Sequence, residues 1–327
     1  VRRGLGKVKK RRWTEFRPGT DDEAGASAFV RVDEQRKQGA STIFGGEPDR
    51  SLEAAIRKLK ILERAEMFED MLQAMERQSG KAFAEDGSTR SLWMHEWSKL
   101  VLRAFEPEEK VVYVSAYAFP MEILGAFDVV PFDFELASGM IGTSKMGVPT
   151  MIECEERGYS PDVCSFHRIA LGAFYANHFP TPDLLLTTSF YCDGKAKTNE
   201  LLSILYRKEA MLLQVPAEIN RDSIRYVERQ LRKIAAKIAT TVGQPLDEDR
   251  LKEAVRRSNR ARRLQQRMLT LLKRRPAPWG GSQLISFSIN SLWLAFSEVK
   301  ERLNNSFLRE MEQRIEGHDL GPERHRI

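Results

Sequence analysis

Three cysteines, Cys154, Cys164 and Cys192, fall close together in a chain that has no others. Cys164 closes the run Gly158-Tyr159-Ser160-Pro161-Asp162-Val163-Cys164, and Cys192 opens Cys192-Asp193-Gly194-Lys195 after the apolar run Leu184-Leu185-Leu186-Thr187-Thr188. Ser160 suits an N-cap and Pro161 a first helical position, which predicts a helix with Cys164 in its first turn. Cys192 is expected between a buried strand and the next helix. Unpaired N–H groups and the helix dipole favour a thiolate at such a place, and thiolate is the form that binds iron or zinc. From residue chemistry alone, inert buried thiols are the commoner outcome. Cys154 is the weaker ligand candidate, because Glu153, Glu155 and Glu156 flank it and neighbouring carboxylates disfavour thiolate.

Three further residues sit where a ligand would be handled. Glu122 is expected to begin a helix after a strand, either as a proton acceptor or as a carboxylate stabilised by the helix dipole. Ser115 ends the preceding strand, with the same two readings. His167 is three residues beyond Cys164 and so shares its helical face; it could donate to a metal-bound sulfur or to substrate, or simply pack.

Positioning these groups requires a layered frame. Lys110–Ser115, Asp128–Phe132, Leu184–Thr188 and Met211–Pro216 read as short apolar strands. Helices are expected between them, over Pro120–Phe127, from Ser160 to about His178, and from Lys197 to Tyr206. This alternation predicts an α/β fold: a parallel, Rossmann-like sheet covered by helices on both faces. Before it, residues 1–48 read as a basic, extended arm and 49–108 as helical, with one helix from Ser51 stopped by Gly80 and a second from about Ser91 to Phe105. The α/β domain is assigned to 109–220. Residues 221–327 read as three long helices, Arg221–Thr240, Pro245–Arg274 and Ser286–Ile315, followed by a polar linker. In an open parallel sheet, ligands bind beyond the carboxyl ends of the strands, where Cys164 and Cys192 are expected to meet.

Composition narrows the function classes. The net charge is +6, from 52 Lys and Arg against 46 Asp and Glu. Much of the excess lies in the N-terminal run and in Arg256, Arg257, Arg260, Arg262, Arg263 and Arg267. It is read as a solvated helix face plus a tail rather than as a nucleic-acid surface. No apolar run reaches the ~20 residues of a membrane span, and the basic start lacks the apolar stretch of a secretory signal. Three cysteines are too few and odd in number for a disulfide scaffold, so a reducing cytoplasm is expected.

Four segments together carry a family resemblance. They are Ala118-Phe119-Pro120-Met121-Glu122-Ile123-Leu124, Gly158 to Phe166 around Cys164, Pro182 to Asp193 around Cys192, and Met211-Leu212-Leu213-Gln214-Val215-Pro216. In order and spacing the stretch from Ala116 to about Gln214 resembles the 2-hydroxyacyl-CoA dehydratase and benzoyl-CoA reductase superfamily. The resemblance implies a subunit that holds a [4Fe–4S] cluster near an acyl-CoA substrate, with Cys164 and Cys192 as matching ligands. It implies a homologous second subunit and an ATP-hydrolysing iron–sulfur activator that injects one low-potential electron, turning the thioester into a ketyl radical anion. It also implies a second α/β domain beyond the long helices, supplying a third cysteine in many members, at the place where this sequence ends. Cys154 lies outside the matched cysteine positions, although it could supply a third thiolate.

Two other classes stay open on the residues: a family member acting as scaffold or assembly partner of a catalytic subunit through its long helices, and a basic nucleic-acid-binding protein.

Overall fold

The computed structural model describes residues 67–115, 119–281, 283, 284, 287, 297–318, 320 and 323. The expected N-terminal arm, the helix start at Ser51 and the start of the third long helix at Ser286 lie outside the described residues.

Two helices precede the sheet: α1 (Met67–Asp86) and α2 (Thr89–Arg103). The glycine at position 80 does not end α1. A Cβ there would stand 2.9 Å from His95 Nδ1 on α2, so the missing side chain lets the two helices cross closely. The stop comes at Gly87, in the left-handed region (φ 65°), and Ser88 caps α2 by accepting from Ser91 N.

The sheet contains β1 (Val111–Val114), β2 (Val130–Asp133), β3 (Leu184–Thr188) and β4 (Ala210–Leu213), all parallel, in the order β2-β1-β3-β4. The fold is α/β, as expected. Val112 pairs with Pro131 on one side and Leu184 on the other. Pro131 lacks an N–H to donate and is tolerated because β2 is an edge strand. Every residue of β1, β2 and β3 is buried, which explains their continuous apolar runs. From β1 the chain turns outward to β2, whereas β3 and β4 lie on the other side. The order therefore reverses between β1 and β3.

The connections differ from expectation in four places. Met121–Ala126 is a 3-10 helix rather than an α-helix. Two helices between β2 and Cys164 were not anticipated: α3 (Phe134–Gly142) and α4 (Gly147–Glu156). Ser160-Pro161 forms a turn, with Ser160 Oγ accepting from Asp162 N at 3.2 Å; the fixed φ that suits proline to a helix start equally suits a turn. The helix α5 begins only at Ser165 and ends at Tyr175. Finally α6 (Asp193–Tyr206) starts one turn before Lys197, directly behind Cys192.

Three long helices follow. The first, α7 (Arg221–Val242), opens with a capping box between Asn220 and Ser223 and ends at Gly243, with φ 70°. It buries Ile234, Ala235 and Ile238 against the main core. The second, α8 (Glu248–Leu271), is capped by Asp247, and the third, α9 (Glu298–Glu316), by Ser297. Met268, Trp279, Phe287, Phe307, Leu308 and Met311 form a second, smaller core where α8 meets α9. Glu310 of α9 accepts from Thr89 N at 2.7 Å, satisfying a donor at the start of α2. Among the described residues, no helix is long and apolar enough to cross a membrane.

Two contacts in this frame yield checks on stability. A Cβ at Gly172 in α5 would lie 1.8 Å from the Thr150 carbonyl oxygen of α4, whereas one at Gly281 meets nothing within 4 Å. Gly172→Ala is expected to destabilise by about 2 kcal/mol or more, and Gly281→Ala to be near neutral; equal melting temperatures would contradict the packing. Lys300 of α9 is buried, and burial lowers its ammonium pKa to about 7. Between that value and the ordinary lysine range the unfolded chain binds more protons than the folded one, so folding stability contributed by this group rises with pH. Lys300→Met is expected to remove this rise in stability above pH about 7; denaturant titrations that give wild type and variant the same pH dependence across that window would contradict the shift.

Candidate functional site

The strand order reverses between β1 and β3, and the carboxyl edge of the sheet at such a reversal is the usual ligand position in open α/β folds. Both exposed cysteines stand there, each as the N-cap of a helix. Cys164 precedes α5 (φ −47°, ψ 133°) and Cys192 precedes α6 (φ −148°, ψ 117°), and neither side chain makes a capping hydrogen bond. An oxygen-bearing N-cap would point back at the first-turn N–H groups. Cysteine at that position leaves the sulfur without a bond to the first helical turn.

His167 follows Cys164 in α5 and reaches Cys192 with its ring. Its backbone N donates to the Cys164 carbonyl at 3.0 Å, so it belongs to the first turn behind Cys164. Its ring Nε2 lies 3.6 Å from Cys192 Sγ. The residue expected to share a face with Cys164 therefore touches the other cysteine. Burial lowers the imidazole pKa from its ordinary value, and Glu135 acts against that shift.

A polar layer lies behind the thiols. Ser115, just past the end of β1, donates its hydroxyl to Glu135 on α3. Asp133 caps α3, accepting from Glu135 N at 2.9 Å and Leu136 N at 3.1 Å. Lys195, in the first turn of α6, is only 1% exposed. Burial lowers its pKa, while Glu135, Cys192 and Asp133 oppose that shift through their charges. Glu135 and Lys195 were not among the candidates read from the sequence. The signals available were an Asp-Phe-Glu run ending β2 and a lysine three residues after Cys192.

The rim is apolar and exposed. Val163 and Phe166 flank Cys164, and Phe190 and Tyr191 precede Cys192; Tyr191 is 80% exposed. Tyr191 also has a positive φ of 79°, which is costly for an aromatic residue and typical of functional corners.

Two expected site residues lie elsewhere. Cys154 is buried in α4 within the main core. Burial, the largest effect, pushes its thiol up to about 11, Glu155 and Glu153 add to the rise, and Arg168 opposes it. Its surroundings disfavour the thiolate that a metal requires. Glu122 accepts from Ser258 Oγ of α8 at 2.5 Å, so the carboxylate expected beside the ligand ties the 3-10 helix to α8. Among the described residues, no group of three or more His, Cys, Asp or Glu side chains is arranged to hold a metal ion.

Comparison with known proteins bears on this geometry. The chain is 24% identical over 194 residues to the (R)-phenyllactyl-CoA dehydratase alpha subunit of Clostridium sporogenes, covering 57% of this chain and 47% of that one. It is 28% identical over 228 residues to a benzoyl-CoA reductase subunit of Thauera aromatica, covering 64% and 52%. It is 21% identical over 229 residues to the lactoyl-CoA dehydratase subunit alpha of Anaerotignum propionicum, covering 63% and 54%. The chain thus spans about half the length of these relatives. The family profile described as 2-hydroxyglutaryl-CoA dehydratase, D-component, matches residues 116–327, which include every element of the cysteine-bearing edge except β1 and Ser115. The chain belongs to that family, within the superfamily of 2-hydroxyacyl-CoA dehydratases and benzoyl-CoA reductases.

Proposed function

We propose that the chain is a subunit of an iron–sulfur enzyme acting on CoA thioesters, by 2-hydroxyacyl-CoA dehydration or by benzoyl-CoA-type ring reduction. One observation carries this reading: two exposed cysteines each open a helix at the same edge of a parallel sheet, and His167, in the first turn behind one, contacts the sulfur of the other. Their freedom from capping bonds and the dipoles behind them fit a thiolate-held [4Fe–4S] cluster, whose ligands are commonly cysteines at irregular spacing. Cys154 does not fit, so the described residues offer two thiolates. The remaining iron sites are left to water, substrate oxygen or a partner's group.

A bound cluster would supply one-electron transfer to the thioester. The chain's own residues bind, orient and handle protons. Val163, Phe166, Phe190 and Tyr191 offer apolar surface to the acyl group or to a covering subunit. Ser115 and Glu135 form a hydroxyl–carboxylate pair suited to accept and return a proton. Lys195 lies where its charge interacts with that carboxylate and with Cys192.

The partners are a homologous subunit and an ATP-hydrolysing iron–sulfur activator. The names of the relatives, each a subunit, support the first. Two exposed free thiols suit a reducing cytoplasm.

Anaerobic reconstitution with iron and sulfide tests the reading. Iron content should fall several-fold in Cys164→Ser and in Cys192→Ser and stay at the wild-type level in Cys154→Ser. Wild-type protein that takes up no iron, or unchanged iron in both edge variants, contradicts the reading. In the former case the scaffold alternative, association with a larger subunit without a cluster, becomes the better account.

A further inference from the structure

We propose that His167 is a positioning residue for Cys192, donating an Nε2–H hydrogen bond to its sulfur and thereby stabilising added negative charge on the inorganic group that the sulfur holds. The redox consequence rests on the iron–sulfur reading; the hydrogen bond itself does not.

The argument turns on where the imidazole proton sits. His167 is 4% exposed, and a neutral imidazole carries a single N–H on one of its two nitrogens. The 3.6 Å contact between Nε2 and Cys192 Sγ can form in two ways. Either the thiol donates to Nε2, or Nε2–H donates to sulfur. The first requires the ring proton on Nδ1. That nitrogen is buried and has no hydrogen-bond partner in the described structure, so the first arrangement leaves a buried N–H donor unmet. The second leaves only a bare lone pair there, and a buried donor is the less tolerated of the two. A metal-bound cysteine carries no proton, so ligation permits only the second arrangement. The geometry and the proposed chemistry select the same tautomer.

The glycine at position 194 supports this placement. A Cβ on Gly194 would lie 2.7 Å from His167 Nε2 and 3.5 Å from Cys192 Sγ. The ring therefore seats itself against the start of α6 only because position 194 has no side chain. Hydrogen bonds to cluster sulfurs are among the means by which proteins set reduction potentials. A donor at Cys192 favours the more reduced, more negative state and so raises the potential.

Two readouts test the proposal on the full chain. In the iron-free protein, long-range proton–nitrogen NMR of the histidine rings, with His167 assigned by its loss in His167→Gln, should show the neutral Nε2–H tautomer. In the reconstituted protein, redox titration should give a more negative midpoint for His167→Leu and for Gly194→Ala. The expected size is on the order of a tenfold change in the reduction equilibrium, about 59 mV for one electron. His167→Gln, which keeps a donor, should recover most of the difference at equal iron content. An Nδ1–H tautomer overturns the proposal, as does an unchanged midpoint in iron-loaded His167→Leu. Equal loss of iron from both His167 variants overturns it as well, marking the ring as packing support. If wild-type protein takes up no iron, the cluster reading fails, and the tautomer still decides the hydrogen bond.

Discussion

The site depends on the reversal of strand order between β1 and β3. Because all four strands are parallel, every helix that follows one of them starts at the same edge, and α5, which leads into β3, starts there too. Ser115, Glu135, Cys164, His167, Cys192 and Lys195 come to that edge from different segments. Remove the parallel arrangement and the two cysteine-capped helix ends would no longer face one region.

Cysteine at both N-caps is the second constraint. Such a cap gives up the bond that an oxygen side chain makes to the first helical turn and leaves the sulfur exposed. The neighbouring structure is specialised around this choice. Gly194 makes room for His167, Tyr191 holds a left-handed backbone immediately before Cys192, and Lys195 is buried behind it among carboxylates. By contrast Cys154, one helix away, is surrounded by core side chains and has the raised pKa of an inert thiol.

Strands were legible because burial on both faces produces short continuous apolar runs, and Leu184–Thr188 is observed with the limits its sequence suggests. Helices carrying glycine and proline were not. In α3, Gly139 and Gly142 lie under Phe166 and Ile169 of α5, at 3.0 and 3.2 Å from where a Cβ would be. In α4, Pro149 occupies the first turn, where its missing N–H costs little. Residues that punctuate a sequence here serve tertiary contacts instead, as Gly80 does in α1. Within the site, the two cysteines could be read from their flanking segments. Glu135 and Lys195 could not, because a contact between segments far apart in the chain leaves no trace in local spacing. The same limit explains why His167 was assigned to the face of Cys164 while its ring lies on Cys192, and why Glu122 was assigned to a ligand edge while it binds Ser258.

The central claim is that the Cys164 and Cys192 thiols converge on one locus while Cys154 is sealed away. The most direct measurement treats folded, iron-free, reduced protein with dibromobimane, a reagent that becomes strongly fluorescent only after bridging two thiols. The account expects fluorescence in the wild type and in Cys154→Ser, and its loss in Cys164→Ser and in Cys192→Ser. Absence of bridging in the folded wild type, or bridging that survives in Cys192→Ser, would contradict it.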